Sequence, residues 1–240
     1  MTFTFTPIAV THSCFKEKFG IPRQPGLVTE AIAELEFLPP FNREEALTGL
    51  EGFSHLWITF VFHGALREGW KPTVRPPRLG GNKRLGVFAT RSNFRPNPIG
   101  LSVVKFAGIR RDGKKLLLRV EGADLLDRTP ILDIKPYLPY ADRVPEATGG
   151  FAPQPPARGL SVTFAPETAP VIERWERGEI PNLRKLIVQM LENDPRPAYH
   201  AGSDRRKRFA FRIYDLDVRW EAGQEGIHVT EIVELPRQGG

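Results

Sequence analysis

Arg91 and Arg95 stand four residues apart in RLGVFATRSNFRPNPIGLSV (Arg84–Val103), a stretch that sets two asparagines and two prolines between the apolar runs Leu85–Ala89 and Leu101–Phe106. A hairpin closes with about two to five residues, so this connection is longer than closure demands. Its guanidinium forks and backbone amides, ending on the permissive Gly100, suit an oxyanion or a base edge; a loop pinned by arginine ion pairs is the alternative. Other polar clusters interrupt apolar runs in the same way, and loops on a rigid scaffold are free to present groups. GIPRQPGL (Gly20–Leu27) holds Arg23 and Gln24 between prolines that restrict the backbone. VFHGAL puts His63 and Gly64 at the end of an apolar run, where glycine admits a close ligand. RPPRLGGNKR is basic and glycine-rich, and GADLLDRTPILDIKPYLPY offers Asp124, Asp127 and Asp133 with Lys135. Turns, a packed histidine, aspartate caps and a solvated basic face are the structural alternatives for these four.

Some chemistries are disfavoured. No Gly-x-Gly-x-x-Gly follows a first strand and no Walker lysine is present, which argues against doubly wound nucleotide folds and P-loops. Cys14 is the single cysteine, so the chain forms no internal disulfide and no thiolate cluster. The five histidines never adopt metal-ligand spacing, and no metal is implied.

The elements that must position these clusters are mostly strands. Phe5–Val10, Thr29–Phe37, His55–His63, Leu85–Thr90, Leu101–Ile109 and Leu116–Val120 are apolar or alternating, and each is bounded by Gly, Pro or Asn. Their spacing predicts a barrel or sandwich. NREEALTGL predicts a helix, with Asn42 as cap, Glu45 in capping-box position and Gly49 as stop. Between Pro139 and Pro156 the chain is rich in Pro, Gly and Ala and reads as a linker. A strand at Leu160–Phe164, helices over Ala169–Arg177 and from Asn182, and strands at Phe209–Trp220 and Ile227–Leu235 then give the order β-α-α-β-β. In the second helix Leu183, Leu186, Ile187, Met190 and Leu191 form one buried face. The expected organisation is α+β: a mainly-β barrel over 1–145, a linker at 146–157 and a small α+β domain over 158–240.

The 240 residues carry a net charge of +6, with a pI near 9.6, which favours a polyanionic partner, nucleic acid first. No apolar stretch approaches the roughly 20 residues that span a bilayer, and MTFTFTPIAV lacks the basic start and apolar core of a signal peptide, so a cytoplasmic protein is expected.

Taken together, EKFGIPRQPGL, LEGFSHLWITFVFH, WKPTVRPPRLGGNKRLGVFATRSNFRPNPIGLS, LLDRTPILDIKPYLPYAD and NDPRPAY resemble the TrmO (YaeB-like) family of tRNA methyltransferases across essentially the whole chain. The resemblance implies an S-adenosylmethionine-dependent enzyme that methylates N6 of threonylcarbamoyladenosine at position 37 of threonine tRNA. It also implies a non-Rossmann, barrel-based cofactor site and a homodimer. By motif, that site would comprise Pro22, Arg23 and Gln24; His63 and Gly64; Arg91; Leu101; and Asp124, Leu125, Leu126 and Asp127. The N6 proton must leave in or after methyl transfer, a task suited to a carboxylate or phenolate. Asp194 or Tyr199 of NDPRPAY is the expected base, with Arg196 orienting the substrate; the alternative is that this motif only packs the domains together. Arg75, Arg78, Lys83 and Arg84, with Arg205 and Arg206 of DRRKR, are expected on tRNA phosphates. Phe94 or Tyr199 is expected to stack on the base, and Arg95 to bind the tRNA. A non-catalytic RNA-binding barrel and a small-molecule methyltransferase are the competing classes.

Overall fold

The computed structural model describes residues 2–156, 159–178, 180–196, 208–223 and 226–236. The chain begins with β1 (Ala9–Ser13), β2 (Ile32–Phe37) and β3 (His55–Val61). A two-stranded ribbon of β4 (Thr73–Val74) and β5 (Leu85–Gly86) precedes β6 (Ile99–Asp112), β7 (Lys115–Glu121) and β8 (Pro130–Pro136). Six of these strands pair antiparallel in a ring, β1-β2-β7-β6-β3-β8, that closes as a barrel. Period-two alternation fills it: Leu56, Ile58 and Phe60 of β3 point inward to meet Leu35, Val104, Leu118 and Ile131, while Trp57, Thr59 and Val61 face out.

The registers place the end of β1, the start of β2, the end of β7, the start of β6, the end of β3 and the start of β8 on one rim. The connections 14–31, 62–98 and 122–129 therefore leave the barrel together. These are the segments that carry the polar clusters.

The second half holds α1 (Pro139–Asp142), β9 (Val162–Phe164), α2 (Ala169–Arg177), α3 (Leu183–Glu192), β10 (Arg208–Ile213), β11 (Leu216–Ala222) and β12 (Ile227–Glu234). The sheet order is β10-β11-β12-β9, with β9 parallel to β12. The apolar face of α3 is buried against Phe211, Ile213, Val218 and Trp220. Cys14, Phe15, Val28 and Ala31, from the connection between β1 and β2, join this second core, and Phe15 forms a bridge with Ile213. No described helix is long and apolar enough to cross a membrane.

Several expectations are corrected. NREEALTGL forms only a 3-10 turn, Glu44–Leu47, with Arg43 rather than Asn42 at its N-cap and no side-chain cap. Pro130–Pro136, expected only as part of a polar cluster, is the strand that closes the ring. Phe209–Trp220 is two strands, because Tyr214 takes φ 48° and turns the chain; the order is β-α-α-β-β-β. Leu85–Thr90 is strand only at Leu85–Gly86, followed by a 3-10 turn.

Candidate functional site

The rim connections enclose a cleft of about 1650 Å³. Pro22, Arg23, Gln24, His63, Gly64 and Arg91 line it, with Leu101, Asp124 and Leu126. The Arg84–Val103 connection is long because it forms one wall. Two glycines explain how the walls approach. Gly26 donates its N–H to the Gly122 carbonyl at 2.8 Å, and Gly122, at φ 72° in the left-handed region, lies where a Cβ would press on the Gly26 backbone at 3.3 Å. This contact docks the Arg23–Gln24 loop beside Asp124. Gly100 lies opposite Phe60 in the β3–β6 register, and the Phe60 ring covers the place its Cβ would occupy.

Asp124 is the cleft's single carboxylate among the described residues. Burial pushes it up to about 6, while the Ser102 hydroxyl, donating to its Oδ1 at 2.6 Å, and the Arg91 charge act in the opposite direction. Ser102 is itself 2% exposed, an inward-facing hydroxyl at the top of β6 that Asp124 satisfies. Arg91 donates to Gln24 Oε1, tying two walls together. His63 Nδ1 lies 3.3 Å from Thr129 Oγ1, and burial lowers the imidazole below its ordinary value.

Leu125 and Asp127 do not line the cleft. Leu125 is packed inside the barrel, and Asp127 accepts from the Ser13 N–H at 2.9 Å while pairing with Lys16 at 2.8 Å, which fixes the exit of β1.

The same cleft extends along Arg75, Arg78, Arg84, Phe94 and Arg95, while Lys83 lies outside its lining. Lys71 sits 3.8 Å over the Phe94 ring, and Arg95 packs on Phe88. Eight lysines and arginines line the whole cleft against one aspartate, and among the described residues only Lys18 of the eight forms an ion pair, with Glu68 at 3.0 Å. The chain's positive charge is thus focused where a polyanion would enter. Arg78 donates to the Gln154 carbonyl, so the 149–156 segment walls this end.

Asp194 and Arg196 stand beside the cleft rather than in its lining. Arg196 Nε and Nη2 donate to the two Asp194 oxygens at 2.7 and 2.9 Å, and Arg23 Nη2 donates to the Arg196 carbonyl at 3.1 Å. Tyr199, Arg205 and Arg206 lie outside the described residues. Sequence reasoning missed Ser102, Phe60 and Thr129; a serine in an otherwise apolar strand was the available signal for the first.

The tRNA-methyltransferase O N-terminal domain matches residues 10–143, and the TrmO C-terminal domain matches 157–235. The Escherichia coli tRNA (adenine(37)-N6)-methyltransferase is 47% identical over 95% of this chain and 97% of its own length. A Pseudomonas aeruginosa protein named as an S-adenosylmethionine-dependent methyltransferase is 50% identical over 92% of this chain and 93% of its own. The crystal structure of TrmO from Pseudomonas aeruginosa superposes with a TM-score of 0.79 at 42% identity, covering 97% of this chain and 99% of that one. Both halves of the sequence and the whole fold agree, and the chain belongs to the tRNA-methyltransferase O family.

Proposed function

We propose that this chain methylates N6 of threonylcarbamoyladenosine at position 37 of threonine tRNA, in the cytoplasm and as a homodimer. The coarser statement, an S-adenosylmethionine-dependent tRNA adenine(37)-N6 methyltransferase, follows from the family. What supports an RNA-modifying reading is one continuous cleft that joins a buried carboxylate to a basic stretch without an ion-pair partner among the described residues. A non-catalytic RNA binder would need only the basic end. The exposed Phe88 and Leu101 at the cleft mouth support a second copy as partner.

The donor set fits the cofactor. Asp124 suits an ammonium or ribose hydroxyls, Arg23 and Arg91 suit a carboxylate, and Phe60, Phe62 and Leu126 supply apolar walls for a purine. S-adenosylmethionine, when bound, supplies an already activated methyl group. The protein's task is then alignment of N6 and exclusion of water. Arg75, Arg78 and Arg84 hold phosphates, and Lys83, Arg205 and Arg206 are assigned the same role from their basic sequence motifs. Phe94 stacks on the base and Arg95 flanks it. The N6 proton passes to Asp194 or Tyr199. Because Arg196 binds both Asp194 oxygens, uptake there requires the guanidinium to turn toward the substrate, which is its orienting role.

The test is single-turnover transfer of labelled methyl to two threonine tRNAs differing only in the threonylcarbamoyl group at position 37. Label is expected on the modified tRNA alone, and slower transfer is expected for Asp194→Ala or Tyr199→Phe at saturating tRNA. Equal labelling of both tRNAs would overturn the substrate assignment. Unchanged rates in both variants would overturn the base assignment.

A further inference from the structure

Helix α3 carries a second pattern beside its apolar face. Asn182, Lys185, Gln189 and Asn193 recur at intervals of three and four, which stacks them into one polar stripe. The stripe is half-buried at Asn182, Gln189 and Asn193 and exposed at Lys185, and all four side chains reach residues 27–30. Gln189 Nε2 donates to Thr29 Oγ1 at 3.0 Å, and its Oε1 accepts the Glu30 N–H at 3.1 Å. Asn193 Nδ2 donates to the Leu27 carbonyl at 3.3 Å, and Asn182 and Lys185 both reach the Glu30 carboxylate. Residues 27–30 continue directly into the loop that holds Arg23 and Gln24 in the cleft.

That loop has little regular structure of its own. It lies outside β1 and β2, and Gly26 makes its ladder-like contact with Gly122. Two prolines restrict it locally without fixing where it sits. The stripe on α3 supplies the placement from the far side, while the Arg91–Gln24 bond holds the cleft side.

We infer that α3 positions the Arg23–Gln24 loop, with Gln189 as its central positioning residue, so that the C-terminal half of the chain sets affinity for the cofactor without touching it. The inference rests on the reading of this loop as part of the cofactor site. A loop that is docked only part of the time lowers apparent affinity by the docked fraction, and leaves the chemistry of the bound state intact.

Titration of the full chain with S-adenosylmethionine tests this. Gln189→Ala is expected to raise the dissociation constant roughly tenfold and to raise KM for the cofactor similarly, with kcat at saturating cofactor unchanged. Thr29→Val, made on the loop rather than the helix, is expected to act in the same direction. The double variant should bind little worse than Gln189→Ala, since both remove one interaction. Arg23→Ala separates the two levels. If Arg23→Ala weakens binding while Gln189→Ala and Thr29→Val bind like the parent protein, the positioning role is overturned and the cofactor site stands. If Arg23→Ala itself binds like the parent protein, the cofactor reading of the loop falls, and the inference with it.

Discussion

Asp124 makes a prediction about stability that is separate from turnover. Its carboxyl is pushed from 3.8 up to about 6, chiefly by burial. The folded protein therefore holds this proton more tightly than the unfolded chain does. The penalty for keeping the group ionised is small below about pH 4, grows as pH rises from there toward the raised value near 6, and is complete above about pH 7. At 1.36 kcal/mol per pKa unit the full penalty is about 3 kcal/mol, and at pH 5 it is roughly half that. Asparagine keeps the shape, can still accept from the Ser102 hydroxyl, and cannot ionise. Asp124→Asn is thus expected to stabilise the ligand-free protein by up to about 3 kcal/mol at pH 8, by about half as much at pH 5, and negligibly near pH 3.5. Urea denaturation of both proteins at the three pH values reads this out. The same variant should lose cofactor affinity, the usual exchange at a site built for binding rather than stability. A difference that does not change with pH, or a variant less stable at pH 8, would refute the reasoning.

Gly100→Ala places a Cβ within the space the Phe60 ring occupies, so the ring must leave its position; a loss of about 1–3 kcal/mol in urea denaturation is expected, partly recovered by adding Phe60→Leu, and unaltered stability would sink this reading. Affinity for threonine tRNA should fall steeply as salt rises, and Arg75→Ala or Arg84→Ala should each flatten the log–log slope by about 0.7–0.9. A salt-independent affinity would remove RNA phosphates from the basic end of the cleft.

Much of this architecture could be read from the residue pattern because strong periodicity survives tertiary context. The α3 face and the alternation in β3 are of that kind. β8 escaped because prolines stand at both its ends and its one aspartate, Asp133, looks like a site residue, whereas a strand that closes a ring needs only a few inner positions, such as Ile131. The turn at Tyr214 was invisible because it uses neither glycine nor proline. In the site, Arg23, His63, Arg91 and Asp124 stand out as polar residues at the ends of apolar runs. Ser102 does not, since its partner is 22 residues away and only the barrel brings them together. The α3 stripe was legible in spacing, yet a polar helical face ordinarily meets solvent, and nothing local says that it meets residues 27–30.

The interlocking of Phe15 and Val28 with the second core also bears on how the chain matures during synthesis. The ring of strands is complete once β8 has been made, but the segment between β1 and β2 finds its apolar partners only when residues up to Ile232 exist, roughly a hundred positions later. At ordinary translation speeds that is a delay on the order of 5–20 s. Until α3 has been made and packed on its strands, the barrel holds its own core while the Arg23–Gln24 loop is untethered on the α3 side. A nascent chain stalled after the barrel would therefore carry most of the cleft and still grip its ligand poorly, so competence arrives with the last strand rather than with the first domain-sized length of chain.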